Sequence, residues 1–248
     1  MKKILAVLIL ISFNLYSLTE NEASFIEASK NGDTKKVKEL LSLGADINIQ
    51  NNYSNTALIY AAREGHTETV KELIKAGADI NIQSNGDRTA LIFAAWEGHT
   101  ETVKELIKAG ADINIQDYNG WTALMLAARY DYIETVKELI KAGADINIQD
   151  NDGLTVLMMA VINGLTEIVK ELIKAGADIN IQDNDGLTVL MYAAYKGHTE
   201  TVKELIKAGA DINIQSNYGF TALDYAEEMN DYDIIKLLRS FKKKMKKE

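Results

Sequence analysis

One string of five residues sets the architecture of this chain. Gly-Ala-Asp-Ile-Asn occurs at residues 44–48, 77–81, 110–114, 143–147, 176–180 and 209–213, each copy 33 residues after the last. A threonine recurs in step at Thr56, Thr89, Thr122, Thr155, Thr188 and Thr221, and residues 21–32 are a degenerate copy with Ala23 at the threonine position. A fixed period of this length makes a stack of small units, because no unit can bury an apolar face alone.

Residues 117–149 show what one unit encodes. Asp117 to Trp121 is turn chemistry around Gly120. Thr122 is an N-cap, and Leu124, Ala127 and Ala128 form one thin apolar stripe on a first helix. Asp131 to Ile133 break that helix, where most other units have glycine. A second helix carries Glu134 in its first turn and Val136, Leu139 and Ile140 on its buried face. Glu138 and Lys141 can pair on the wet side, and Gly143 ends the helix. The expected class is therefore all-α: about seven helix-turn-helix units joined by β-turn or hairpin loops. Unit boundaries fall near 18–50, 51–83, 84–116, 117–149, 150–182, 183–215 and 216–241. Together they make one domain over 18–241.

The two ends differ from the array. Lys2 and Lys3 precede a short apolar run, Ile4 to Phe13, and then Asn14 to Ser17. This has the order of a secretory signal peptide over residues 1–17, too short to span a bilayer. It implies a bacterial-type exported protein, periplasmic or extracellular, with no stable membrane insertion after cleavage. Residues 242–248 form a basic C-terminal tail with five lysines and one glutamate. The whole chain has net charge −9, a poor partner for nucleic acid. The end units are more polar than the inner ones, through Asn21, Glu22, Glu27 and Ser29 in the first and Asp224, Glu227, Glu228, Asn230 and Asp231 in the last.

The unit resembles the ankyrin repeat. Residues 184–213, NDGLTVLMYAAYKGHTETVKELIKAGADIN, carry most of that family's pattern, and the likeness extends over about residues 20–241. The family's Thr-Pro-Leu-His is replaced by TALI, TALM, TVLM or TALD, which removes a proline that would pre-organise each helix start. The turn glycine is missing where Ser54 and Asp87 stand. The resemblance implies an ankyrin-repeat solenoid that binds proteins through its concave face, without enzymatic activity and as a monomer.

No catalytic or metal constellation accompanies the repeats. With no cysteine and three histidines, thiolate chemistry is excluded and histidine chemistry has little to work with. His66, His99 and His198 share one position at the break between helices, too far apart for a common metal and best read as structural. Asp150 to Gly153 and Asp183 to Gly186 look like calcium loops, but Ile148, Met159, Ile181 and Tyr192 occupy places that need acids. Neither a dinucleotide, P-loop, nucleophile-elbow nor zincin motif is present. No metal and no cofactor are expected.

The informative residues are those that vary. HTETVKELIKAGADINIQ is repeated whole at 66–83, 99–116 and 198–215, so differences concentrate in the turn and at the end of the first helix. By position, the resemblance assigns partner contact to Tyr53, Arg63, Arg88, Trp96, Tyr118, Trp121, Arg129, Tyr130, Leu154, Ile162, Leu187, Tyr195, Tyr218 and Phe220. It assigns the same role to Asn52, Asn55, Glu64, Asn85, Glu97, Asn119, Asn151, Asp152, Asn163, Asn184, Asp185, Lys196 and Asn217. Both tryptophans fall in this set, a composition typical of interface anchors. Tyr60, Phe93, Leu126 and Tyr192, on the first helix, are read as packing between units. Two other readings start from the same array: a secreted effector acting on another cell's proteins, and a chaperone-like module protecting an envelope enzyme.

Overall fold

The computed structural model describes residues 18–245, so the expected signal peptide and the last three residues of the tail lie outside it. The described chain divides into two compact halves, the first ending at Tyr118 and the second beginning at Asn119. The first half holds α1 (Glu20–Lys30), α2 (Thr34–Ser42), α3 (Ala57–Arg63), α4 (Thr67–Lys75), α5 (Ala90–Trp96) and α6 (Thr100–Lys108). The second holds α7 (Ala123–Arg129), α8 (Ile133–Lys141), α9 (Val156–Ile162), α10 (Thr166–Lys174), α11 (Val189–Tyr195), α12 (Thr199–Lys207), α13 (Ala222–Glu228) and α14 (Tyr232–Met245). Among the described residues there is no strand; two isolated bridges, Gln149 with Thr155 and Gln182 with Thr188, are the only extended pairing.

Each inner unit starts its first helix in the same way. The recurring threonine sits in extended backbone and its hydroxyl accepts from the amide three residues on, as Thr56 does from Ile59 at 3.2 Å and Thr155 from Met158 at 3.3 Å. Seven residues follow, almost all buried; in α5 only Trp96 is not. Small side chains make this possible, because Ala61, Ala62, Ala94 and Ala95 are all fully buried and let successive first helices approach closely. A residue with positive φ then turns the chain into the second helix: Gly65 and Gly98 in the first half, Asp131, Gly164, Gly197 and Asn230 in the second. The second helices bury a valine and a leucine each, such as Val70 with Leu73 and Val136 with Leu139, except α14, which buries Ile234 and Leu238. A fully buried side chain of this kind stabilises by about 1.5–3 kcal/mol.

Neighbouring units are also joined by polar ladders. Asn48 Oδ1 accepts the Asp79 amide and Asn81 Oδ1 the Asp112 amide, both at 2.9 Å. In the second half Asn147 holds Asp178 at 2.9 Å and Asn180 holds Asp211 at 2.8 Å. At the turns, backbone bonds run from Asn85 to Tyr53, Tyr118 to Gly86, Asn184 to Asp152 and Asn217 to Asp185.

The first unit departs from its expected register. Ala23, at the threonine position, has no hydroxyl to cap with, and the helix starts a turn earlier. Thr19 and Glu22 form a reciprocal capping box, so Ala23 lies inside α1. Ser29 was expected on a polar outer face but is fully buried, its hydroxyl donating to the Phe25 carbonyl at 2.9 Å. It stands in register with the buried Ala62, whose space a serine can fill once its hydroxyl is bonded. Of the tail, Lys242, Lys243 and Lys244 are the last turn of α14, where cations suit the helix dipole.

Candidate functional site

Among the described residues nine large apolar or aromatic side chains are exposed, and six of them are Tyr53, Tyr118, Tyr130, Tyr195, Tyr218 and Phe220. All six stand at turn tips, before the threonine cap, or at first-helix ends. The backbone holds them there by local chemistry. Asn51 Oδ1 accepts the Tyr53 and Asn55 amides, and Asp183 Oδ1 accepts those of Asp185 and Leu187, while Ser84 and Ser216 accept the Arg88 and Phe220 amides at the same place in their turns. Asp150 does the same for Asp152 and Leu154. These carboxylates serve the turn, and among the described residues no group of three or more acids or histidines is arranged to hold a metal.

In the first half the cluster centres on Arg88. Its Nε donates to Asp117 Oδ2 at 3.0 Å, and the Asp117 side chain is fully buried. The same guanidinium lies 4.3 Å from the Trp96 ring centre and 5.5 Å from that of Tyr118. Trp96 is stacked on Phe93 at 6.1 Å, and exposed Arg63 lies 5.7 Å from the Phe93 ring centre. Arg88 is thus a brace that fixes the half-exposed tryptophan. Glu64 and Glu97 are exposed beside it.

In the second half Trp121 stands one repeat after Arg88 and does a similar job. Its indole Nε1 donates to Asp150 Oδ2 at 3.0 Å, and Arg129 lies 4.8 Å from its ring. Tyr130 stacks on Tyr132 at 6.3 Å. Leu154, Ile162 and Leu187 are half-buried. Tyr195 meets Tyr225 edge-on at 6.3 Å, and Phe220 meets Tyr225 at 5.8 Å. Lys196 sits 5.9 Å from the Tyr195 ring, and the Tyr218 hydroxyl points to Asp185 at 3.4 Å.

Several of the asparagines expected to contact a partner serve the stack instead. Asn55 is buried, with an unpartnered side-chain oxygen. Asn85, Asn184 and Asn217 donate to the preceding unit's carbonyls at Asn52, Asn151 and Asn184, and Asn163 donates to Met159. Phe93 and Leu126 are buried as packing residues, whereas Tyr60 and Tyr192 are only half-buried. Their hydroxyls reach back nine residues to the turn, Tyr60 to Asn51 at 2.8 Å and Tyr192 to Asp183 at 2.5 Å. Burial first, then the bond to Asp183, holds the Tyr192 phenol well above its ordinary pKa. The histidines are structural where they bond: His66 Nε2 to the Lys30 carbonyl and His99 Nε2 to that of Arg63, both at 2.9 Å. In His198 the same nitrogen is buried without a partner.

Sequence reasoning did not single out Met229 and Tyr232, exposed at 48% and 78%. Met229 is in register with Tyr130 and Lys196, so carrying the repeat frame through the last unit finds it.

Comparison with known proteins settles the family. The sequence pattern described as ankyrin repeats (3 copies) matches residues 25–117, 77–150, 109–183 and 157–247 in overlapping windows. The chain belongs to the ankyrin-repeat family. Its fold is also similar to the crystal structure of the ankyrin repeat domain of Bcl-3, described as a unique member of the IkappaB protein family. That similarity has a TM-score of 0.81 at 28% identity, covering 87% of this chain and 97% of that one. No curated protein matches the chain in sequence. Ankyrin repeats are typically interaction modules without enzymatic activity, and they indicate protein partners. No helix among the described residues is long and apolar enough to cross a membrane.

Proposed function

We propose that this ankyrin-repeat protein is exported and binds a protein partner through its turn and first-helix face. The observation that carries the reading is the location of its exposed aromatic surface. Among the described residues, six of the nine exposed large apolar or aromatic side chains are tyrosines and a phenylalanine at these positions, spread over four of the units. Rings held by fixed partners lose little freedom on binding, which suits them to act as anchors. Trp96 under Arg88 and Trp121 on Asp150 are the best braced, and exposed Tyr130 completes the set. The acidic surround selects basic partners and speeds their encounter.

The test is affinity capture from envelope and secreted fractions. The wild type runs beside a triple variant, Trp96→Ala, Trp121→Ala and Tyr130→Ala, with both shown to be folded by circular dichroism. A partner kept by the wild type and lost by the variant supports the face; equal capture by both rejects it. Export is checked by N-terminal sequencing of the protein recovered from those fractions, expected to begin near Leu18. An intact Met1 there refutes cleavage.

A further inference from the structure

One cavity on this face has a chemistry of its own. In the second half, Leu187, Met191, Tyr192, Tyr195 and Tyr225 line a pocket of about 150 Å³ whose surface is entirely apolar. That is room for a benzene-sized group. Tyr195 and Tyr225 stand nearly perpendicular, at 87°, so two walls are aromatic and set at a right angle. Met191 adds a polarizable thioether. Two of the three lining hydroxyls are engaged elsewhere: Tyr192 donates a hydrogen bond to Asp183, and Tyr225 points to Ser216.

The charge around this pocket is one-sided. The turns and first helices of its two units, residues 183–196 and 216–231, carry Asp183, Asp185, Asp224, Glu227, Glu228 and Asp231 against a single cation, Lys196, which itself lies 5.9 Å from the Tyr195 ring. Among the described residues Glu227 alone has an ion-pair partner from outside these segments, Arg239 at 2.8 Å, while Lys242 of α14 acts electrostatically on Asp224. A negative field over aromatic walls favours a cation. A primary ammonium enters badly, because its three donors would be stripped of water against a pocket surface that presents no polar atom. A quaternary ammonium has no such donors and keeps the attraction to the rings.

We propose that this pocket receives the trimethylammonium head of a methylated lysine on the protein partner. The proposal rests on the reading of this face as a protein-binding surface and gives it a ligand chemistry at one place. A choline phosphate headgroup carries the same cation, but its phosphate would enter the negative field of Asp183 and Asp185, which both act on Tyr192.

Calorimetric titration of the full chain tests this with paired probes. Choline is compared with 3,3-dimethylbutan-1-ol, which has the same shape without the charge. A short glycine–serine peptide bearing one trimethyllysine is compared with the same peptide bearing lysine, and with phosphocholine. The charged or methylated member of each pair is expected to bind about tenfold tighter, and the trimethyllysine peptide tighter than phosphocholine. Tyr195→Ala should weaken it about tenfold, and Tyr195→Phe should retain it. Equal binding of the neutral probe would make the pocket a plain apolar slot, and preference for phosphocholine would make it a headgroup site. Either result, or no binding at all, overturns the proposal. Because Tyr195 is untouched in the triple variant, a lost capture partner together with silent titrations refutes the pocket and leaves the face standing.

Discussion

Arg88 and Asp117 form a buried ion pair, 3.0 Å from Nε to Oδ2, and the guanidinium that makes it also lies over Trp96. The Arg88 side chain is only 17% exposed and that of Asp117 is wholly buried, so solvent screens little of the interaction. Arg88→Ala leaves the Asp117 carboxylate without its cation and should cost about 3 kcal/mol in urea denaturation. Arg88→Lys should recover only part of this, because an ammonium cannot lie flat on the indole while bonding the acid. Full recovery with lysine would show that charge alone matters here.

Two glycines separate backbone strain from steric clash. Gly77 has φ of 93° with open space around a built Cβ, whereas at Gly65, φ 73°, a Cβ would meet the His99 ring at 2.6 Å. Gly77→Ala should cost about 1–2 kcal/mol from the left-handed backbone alone. Gly65→Ala should cost more, and in the double variant with His99→Ala the excess should disappear. Additive losses would place the strain in the backbone at both sites.

The second helices are unevenly capped. Asp33 accepts the Lys36 amide at 2.9 Å and Asp231 the Ile234 amide at 3.0 Å, but Leu165, in the same register, has no side-chain cap for α10. Leu165→Asp should therefore be more stable than Leu165→Ala by about 1 kcal/mol, the two sharing the same loss of packing. Thermal unfolding followed by circular dichroism reads the difference; equal midpoints would deny the cap.

Asp224 gives the last unit an acid dependence. Its carboxylate accepts from the Thr221 hydroxyl at 2.6 Å and the Thr221 amide at 2.7 Å, and these bonds, the hydroxyl first, hold its pKa below the ordinary aspartate value. A group lowered on folding contributes stability that is complete above its unfolded value, about pH 4, and is lost as pH falls through the lowered one. Amide exchange in α13 should accelerate across that acid range in the wild type more than in Asp224→Asn. Identical profiles would remove the carboxylate from the account.

The repeat made most of the fold legible before any coordinates. Thr122, Gly143 and the Val136–Leu139 stripe each have one local role, and local chemistry is what a sequence displays. Ala23 misled because a repeat frame says where a cap belongs, not where the nearest hydroxyl is; Thr19 lies outside the frame. The candidate face was readable as a set of positions. Its internal wiring was not, because the partner of Arg88 lies 29 residues on and that of Trp121 the same distance further. Tyr192 shows the limit most directly: expected to pack between units, its ring is only half-buried, and its hydroxyl returns to a turn nine residues earlier.

The joints between units have a further consequence for the gene. Asn48 to Asp79, Asn81 to Asp112, Asn147 to Asp178 and Asn180 to Asp211 are the same fastening, and three second helices are identical in sequence. Unequal crossing-over between such copies removes or adds 33 residues at a seam that is the same before and after. Unit number is then expected to drift between lineages with little penalty in folding, while the residues at the turn tips diversify one unit at a time.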